Sequence, residues 1–178
     1  MKNNVTLIGM PGAGKSTIGV VLAKILGYKF LDSDLLIQER EGMRLWQIIE
    51  LHGNDGFLEI ENRVNSEIAA ERTVIAPGGS VVYGEDAMRH LREISTVVYI
   101  KLSYKKIKGR LGDLTKRGVA LPEGWTLRDL YNERTPLYEK YAHFVFNCEN
   151  DDISHSARHI AQLLQEKHAL DSGGTYES

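Results

Sequence analysis

Short runs of apolar residues alternate along the chain with longer segments in which apolar residues recur at helical spacing. The runs at residues 5–8, 73–76 and 96–100 are typical of buried strands. The segment after the first run places Ile18 and Leu22 on one face, which predicts an amphipathic helix. This repeated alternation predicts an α/β fold with a mainly parallel sheet flanked by helices.

Glycines and small polar residues indicate where the helices begin and end. Gly42 is expected to end a helix over residues 35–41, and Gly53 with Gly56 interrupts the next apolar pattern before a helix over residues 57–70. The expected N-caps are Ser103, Thr126, which forms a capping box with Asp129, and Ser154.

Length and charge limit the classes of protein that the sequence can encode. The 178 residues suffice for one domain with a substantial core, expected at residues 1–170, followed by a small polar tail at 171–178 that is expected to be disordered. The formal net charge of −2 gives no overall basic field, so neither nucleic acid nor a membrane is an expected partner. The single cysteine, Cys148, and the lack of a recognisable secretory signal or long apolar span favour a reducing cytoplasm.

Residues 9–17 carry the strongest chemical signal in the sequence. They fit G-x-x-x-x-G-K-[ST] and join the first predicted strand to the first predicted helix, which is the context that a phosphate-binding loop requires. The glycines let backbone N–H groups approach phosphate oxygens at the helix N-terminus, Lys15 would reach the outer phosphates, and the Ser16 hydroxyl would serve Mg²⁺. The expected nucleotide-binding residues are Gly12, Ala13, Gly14, Lys15, Ser16 and Thr17.

Two carboxylates follow the second predicted strand, at the edge of the sheet where α/β proteins bind ligands. Asp32 and Asp34 lie two residues apart, and in an extended segment their side chains would share a face. One could then hold a Mg²⁺-bound water while the other orients or deprotonates an acceptor hydroxyl. The alternative is that Asp34 is simply the N-cap of the next helix, and the residues alone leave both interpretations open.

Three arginines are candidates for contact with phosphates or with an acceptor. Residues 112–124 lose apolar periodicity and carry Arg117, so this loop is predicted to close over the phosphates, neutralise developing charge and exclude water. Arg110 and Arg134 are candidates for contact with nucleotide and acceptor, respectively. For each arginine, a surface salt bridge is the alternative role.

Several motifs occur together in one order. They are the phosphate loop, Asp32-Ser33-Asp34, Gly53 through Phe57 to Glu61, Pro77-Gly78-Gly79, Arg110 with Arg117, and Arg134-Thr135-Pro136-Leu137-Tyr138 with Tyr141-Ala142. Over about residues 5–142 this series resembles the shikimate kinase family. The resemblance implies a P-loop fold like that of nucleoside monophosphate kinases, with a five-stranded parallel sheet, an acceptor-binding subdomain at residues 32–61 and a lid at residues 112–124.

The resemblance also implies the donor and the residues that hold it. MgATP would be the donor, with Lys15 on the phosphates and Ser16 and Asp32 as the metal ligands. Arg110 would lie against the adenine, and Arg117 would contact the transferred phosphoryl group. We expect a monomeric enzyme.

On the acceptor side, the resemblance implies shikimate as the leading substrate and shikimate 3-phosphate as the product, in aromatic amino-acid biosynthesis. Asp34, Gly78, Gly79 and Arg134 would bind the acceptor. The expected catalytic residues are Lys15, Asp34 and Arg117.

The sequence departs from the family pattern in the acceptor site and in the lid. Leu58 stands where the family usually has the arginine that holds the shikimate carboxylate, Ser80 replaces a third glycine, and the lid reads Arg-Gly-Val-Ala-Leu from residue 117 instead of Arg-Pro-Leu-Leu. Two explanations are open. Arg134 and the glycine amides hold shikimate without the usual arginine, or the pocket serves another small hydroxylated metabolite, such as an amine that meets Glu61.

A second class of function is a nucleotide-dependent switch or binding module that acts through a partner. In such a protein, the paired aspartates and Arg134 would have no function. The sequence also has no Asn-Lys-x-Asp guanine signature. The sequence therefore favours a small-molecule kinase.

Overall fold

The chain is built around one parallel sheet. Its strands are β1 (Asn4–Ile8), β2 (Lys29–Asp32), β3 (Thr73–Ala76), β4 (Ser95–Lys101) and β5 (Phe144–Asn147). The sheet has five strands in the order β2-β3-β1-β4-β5, and every neighbouring pair is parallel, which confirms the predicted α/β fold. The computed structural model describes residues 3–111, 122–149 and 152–172, with side chains up to residue 166 in the last range.

Helices connect the strands and cover the sheet. They are α1 (Lys15–Leu26), α2 (Ser33–Glu41), α3 (Leu45–Ser66), α4 (Glu85–Ile94), α5 (Tyr104–Leu111), α6 (Leu127–Tyr141) and α7 (Ile153–Ser172), with a 3₁₀ turn at Val81–Tyr83. Because helices pack on both faces of a parallel sheet, its central strands are apolar throughout most of their length. All five residues of β1 and the first six of β4 are buried.

The strand order brings three connecting segments to one edge of the sheet. β1 and β2 are both neighbours of β3, and all three strands run in the same direction. Their carboxyl ends therefore lie side by side: residues 9–14 follow β1, Asp32 is the last residue of β2, and residues 77–80 follow β3. These segments are the phosphate loop, the first carboxylate and the glycine turn of the sequence prediction, so the fold places the predicted chemistry on one edge.

Two predicted helix boundaries in the acceptor-binding segment are wrong. α2 begins at Ser33 rather than residue 35, because the Asp32 side chain caps it by accepting a hydrogen bond of 3.0 Å from the Asp34 backbone N–H. In α3, the predicted interruption at Gly53 is confirmed, since its φ of 70° and ψ of 178° are not helical, but the helix that follows runs through Gly56 and ends at Ser66 rather than at residue 70.

The predicted caps were correct for two helices of three. Ser103 accepts from the Lys106 N–H at the start of α5, and Thr126 forms the predicted capping box with Asp129 at the start of α6. Ser154 is not a cap, because α7 begins earlier and Asp152 accepts from the His155 N–H.

The predictions for the tail and the lid fall largely outside the described residues. α7 continues to Ser172, so the first two residues of the tail predicted at 171–178 are helical, and residues 173–178 are not described. Of the lid predicted at residues 112–124, only residues 122–124 are described.

Candidate active site

The loop between β1 and α1 has the backbone that its glycines allow. Gly12 and Gly14 have φ angles of 77° and 94°, in the left-handed region that residues with a Cβ rarely adopt. Gly14 is the N-cap of α1, and the Ala13 N–H donates to the Met10 carbonyl at 3.1 Å. The loop therefore curls over the N-terminus of α1, where backbone N–H groups and the helix dipole favour an anion.

Lys15 lies in the first turn of α1 and is buried beneath this loop. Its Nζ donates to the Gly9 carbonyl at 3.0 Å and to the Met10 carbonyl at 3.2 Å. Burial is the main cause that lowers the pKa of Lys15 to about 8, and the negative charge of Asp34 acts in the opposite direction. The ammonium group is thus held against the loop that would surround a phosphate.

Ser16 and Asp32 form a bridge between α1 and the end of β2. The Ser16 hydroxyl donates to Asp32 Oδ2 at 3.0 Å, while Asp32 Oδ1 caps α2. Hydroxyl and carboxylate oxygens are the ligands that Mg²⁺ prefers, so this pair fits the predicted metal site. Among the described residues, no cluster of three or more histidine, cysteine, aspartate or glutamate side chains could hold a metal by itself.

Asp34 lies close to Asp32, but not for the predicted reason. The sequence pattern predicted both side chains on one face of an extended segment, whereas Asp34 belongs to the first turn of α2. The alternative, that Asp34 is the N-cap, is also wrong, because Asp32 has that role. Burial is the largest cause that raises the pKa of Asp34 to about 6, and the neighbouring Asp32 charge adds to it.

The turn after β3 packs tightly against these carboxylates. A Cβ placed on Gly78 would lie 2.6 Å from Glu61 Oε1 and 2.9 Å from Asp34 Oδ1. A Cβ on Gly79 would lie 2.7 Å from Pro11 Cδ and 3.2 Å from Arg134 Nη1. Only glycine fits at either position without displacing a neighbour, so this turn joins the phosphate loop to α2, α3 and α6.

Arg134 brings a cation to the same place from α6. Its side chain is 1% exposed, Nε donates to the Tyr83 hydroxyl at 3.2 Å, and the guanidinium lies 5.1 Å from the centre of the Tyr83 ring. One turn later, the Tyr138 hydroxyl donates to the Gly79 carbonyl at 2.6 Å. α6 therefore both anchors the glycine turn and supplies the cation.

A cavity of about 460 Å³ opens between α3, the 3₁₀ turn and the start of α6. Leu58 forms part of its wall, at the position where the resemblance leads one to expect arginine. Tyr83 and Glu133 border it next to Arg134, and the Tyr83 hydroxyl donates to the Glu133 carboxylate. The full lining is His52, Gly53, Asn54, Asp55, Leu58, Tyr83, Pro122, Trp125 and Glu133.

The remaining predicted site residues differ in how they are placed. Ala13 is buried, whereas Ser16 and Thr17 are exposed at the start of α1. Arg110 Nη1 donates to the Ala13 carbonyl at 3.3 Å, so this side chain lies beside the phosphate loop. Arg117 lies outside the described residues.

Two residues near the site were not among the residues expected to bind shikimate or to catalyse its phosphorylation, although Glu61 was named as an acid that could meet an acceptor amine. Glu61 is 1% exposed and directed at the Gly78 turn, and Tyr83 lies between Arg134 and Glu133. A signal for Glu61 exists in the sequence, because it shares the buried stripe of α3 with Phe57 and Val64. A carboxylate on an apolar helix face is unusual enough to mark a site. Tyr83 has no comparable signal.

A phosphate loop at the edge of a five-stranded parallel sheet, with a buried lysine, paired carboxylates and an adjoining cavity, defines a P-loop kinase. The family model described as shikimate kinase matches residues 11–165. The chain belongs to the shikimate kinase family, whose members are phosphotransferases that act on a hydroxyl group.

Similar proteins match nearly the whole chain. A shikimate kinase of Vibrio vulnificus is 33% identical over 168 residues, which cover 93% of this chain and 98% of the relative. One of Actinobacillus pleuropneumoniae is 35% identical over 166 residues, covering 92% of this chain and 96% of the relative. The solved structure of a shikimate kinase from Acinetobacter baumannii in complex with shikimate superimposes with a TM-score of 0.84 at 31% identity, covering 92% and 93% of the two chains. No helix among the described residues has the length and apolarity to cross a membrane.

Proposed function

We propose that this protein transfers the γ-phosphoryl group of ATP to a hydroxyl of shikimate. The observation that carries the proposal is the convergence of Lys15, Asp34 and Arg134 around the Gly78 turn, beside a cavity of about 460 Å³. Relatives of the same length and fold bear the name shikimate kinase, and one of them has been solved with shikimate bound.

Asp34 is the residue that would receive the acceptor proton. As the hydroxyl oxygen bonds to the γ-phosphorus, the bond from phosphorus to the ADP oxygen breaks and the hydroxyl proton passes to the Asp34 carboxylate. A carboxylate whose pKa is raised to about 6 still ionises at neutral pH, and it accepts a proton more readily than an ordinary aspartate. The charge of Lys15 balances the negative charge that accumulates beside the loop.

Arg134 would hold the acceptor by its carboxylate. Its guanidinium is buried and oriented by Tyr83, so little side-chain freedom is lost when it binds. The amides of Gly78 and Gly79 offer further contacts on the turn that adjoins Asp34. In this arrangement Arg134 and the turn do the work that the family usually shares with the arginine at position 58.

Ser16 and Asp32 would hold Mg²⁺, since their oxygens are already adjacent. When bound, the metal ion neutralises phosphate charge during transfer. Arg110, which lies beside the loop, is proposed to contact the nucleotide. Arg117 is proposed to reach the transferred phosphoryl group from a lid at residues 112–124, and residues 32–61 are proposed to form an acceptor-binding subdomain. We also propose a monomeric, cytoplasmic enzyme.

The alternative acceptor, another small hydroxylated metabolite, is not favoured by the relatives. Leu58 is the one local observation that supports it, because an apolar wall attracts no carboxylate. A nucleotide-dependent switch that acts through a partner protein would not need a cavity for a small acceptor, so the cavity does not favour that function.

An acceptor panel tests the proposal. Steady-state ADP production is measured with ATP and Mg²⁺ in the presence of shikimate, simple polyols, hydroxy acids and amino alcohols. The proposal expects the highest kcat/KM with shikimate. A higher kcat/KM with an amino alcohol, or a rate of ADP production that no acceptor increases, would overturn the proposal.

A further inference from the structure

Glu61 is a buried carboxylate that the proposed reaction does not use. It lies on α3 and is 1% exposed, and burial is the main cause that raises its pKa to about 7. Burial of an unpaired carboxylate lowers the stability of the folded protein. A buried acid close to a reacting group is therefore a candidate for a role in binding or catalysis.

The two oxygens of Glu61 are in different situations. The Ser80 side chain hydrogen-bonds to the carboxylate and favours its ionised form. No described residue, in contrast, donates a hydrogen bond to Oε1, which is fully buried. This oxygen is therefore the place where Glu61 would carry a proton when it is neutral.

Asp34 lies where that proton would be shared. Glu61 Oε1 and Asp34 Oδ1 approach one point from two helices, at 2.6 Å and 2.9 Å from the position of a Cβ on Gly78. The charged groups that face Glu61 are Asp34 on α2, Lys15 on α1 and Arg134 on α6, and the two cations oppose the effect of Asp34. Among these three charged groups, Asp34 is the anion, and therefore the one that can accept a proton from Glu61.

We propose that Glu61 is a positioning residue for Asp34: its protonated carboxyl donates from Oε1 to Asp34 Oδ1 and holds the Asp34 carboxylate toward the acceptor. This inference rests on the proposed function, in which Asp34 meets the acceptor hydroxyl. When Glu61 ionises, two carboxylates face each other beside Gly78, and their repulsion displaces Asp34. Acceptor binding therefore weakens as the pH rises through the titration of Glu61.

The pH dependence of the acceptor KM tests this role. In the unaltered protein, the KM for shikimate rises with pH above neutrality, by at most about tenfold per pH unit for one proton. Glu61→Gln, whose amide donates at every pH, keeps a low KM and removes this rise. Ser80→Ala removes a hydrogen bond that favours the ionised form and moves the rise to higher pH. Glu59→Gln, an exposed change on the same helix, leaves the profile unaltered.

Three outcomes separate this inference from its alternatives. If Glu61→Gln raises the KM equally at every pH, Glu61 acts as a charged structural group and the inference is wrong. If Glu61→Gln and the unaltered protein share one pH profile, Glu61 does not position Asp34. If the unaltered protein folds and binds ATP but does not turn over shikimate, the proposed function itself fails, and the inference fails with it.

Discussion

The Ser16 hydroxyl donates a hydrogen bond of 3.0 Å to Asp32 Oδ2, and this contact joins the phosphate loop to the end of β2. The other oxygen of the same carboxylate caps α2 through the Asp34 N–H. One side chain therefore sets the distance between the proposed metal site and the residue proposed to receive the acceptor proton.

These two tasks of Asp32 can be separated by mutation. Asparagine is as good an N-cap as aspartate, so Asp32→Asn keeps α2 but loses the charge that would bind Mg²⁺. We expect a melting temperature close to that of the unaltered protein and a clear rise in the Mg²⁺ concentration needed for half-maximal turnover. Asp32→Ala also loses the cap and about 1 kcal/mol of stability. An unchanged Mg²⁺ requirement in Asp32→Asn would exclude Asp32 as a metal ligand.

The space at Gly78 predicts a strong effect of a single methyl group. In Gly78→Ala, the new Cβ meets Glu61 Oε1 and Asp34 Oδ1 at less than 3 Å, so one carboxylate has to move. We expect a loss of about 1–3 kcal/mol in the free energy of unfolding, measured by denaturant, together with a higher KM for the acceptor.

Gly109→Ala is the matched control for this change. Gly109 lies in α5, where a Cβ would have no heavy atom within 4 Å among its non-local neighbours. The variant is expected to gain up to about 1 kcal/mol from the better helix propensity of alanine. Equal stability effects of the two substitutions would contradict the tight packing at Gly78.

The raised pKa of Glu61 predicts that its contribution to the free energy of unfolding falls as the pH rises. Its pKa is about 7 in the folded protein and near the ordinary 4.5 in the unfolded chain, so the folded state binds the proton more tightly. Below pH 4.5 both states are protonated, and between pH 4.5 and 7 the unfolded state is favoured increasingly as it ionises first. This group therefore destabilises the fold as the pH rises through that window, and its effect is constant above it.

Glu61→Gln isolates that contribution. The free energy of unfolding of the variant, relative to the unaltered protein, is expected to improve by at most on the order of 3 kcal/mol from the acidic to the neutral end of the window. Denaturant unfolding at a series of pH values measures the difference, in which all other titrating groups largely cancel. A difference that is flat with pH would show that Glu61 has an ordinary pKa.

The position of Leu58 in the cavity wall predicts that an arginine there strengthens acceptor binding. Leu58 lies on α3 and borders the cavity, so Leu58→Arg places a guanidinium at the cavity wall, where it can pair with an acceptor carboxylate. We expect the KM for shikimate to fall about tenfold and the KM for ATP to be unchanged. Leu51→Arg, at a 66% exposed site on the same helix, is expected to change neither value. A KM for shikimate that Leu58→Arg leaves unaltered would remove position 58 from acceptor binding.

The fold could be predicted where local signals and tertiary packing agree. The apolar runs at residues 5–8, 73–76 and 96–100 predicted the three central strands, β1, β3 and β4, because a strand that is buried on both faces is apolar along most of its length. The Thr126 capping box marked the start of α6 because its partners are three residues apart in sequence. Gly53 likewise marked the predicted interruption, because its φ of 70° is not helical, whereas Gly56 is tolerated inside the helix and interrupts nothing.

The candidate site was predictable in its residues and not in their geometry. Asp32 and Asp34 were singled out by their place after β2, yet a helix begins between them, so strand alternation does not describe how they face each other. The approach of Glu61 to Gly78 joins positions 17 residues apart, and no local pattern shows it. Contacts of that kind depend on how α3 packs, which the sequence alone does not reveal.

The most direct test of the account is detection of the product. The purified protein is incubated with ATP, Mg²⁺ and shikimate, and phosphorus NMR follows the γ-phosphoryl group, with Asp34→Asn and the exposed control Glu39→Gln in parallel. We expect a phosphate monoester of shikimate with the unaltered protein and with Glu39→Gln, and a loss of at least about a hundredfold in its rate of formation with Asp34→Asn. Only inorganic phosphate from ATP, or equal rates of ester formation by Asp34→Asn, would contradict it.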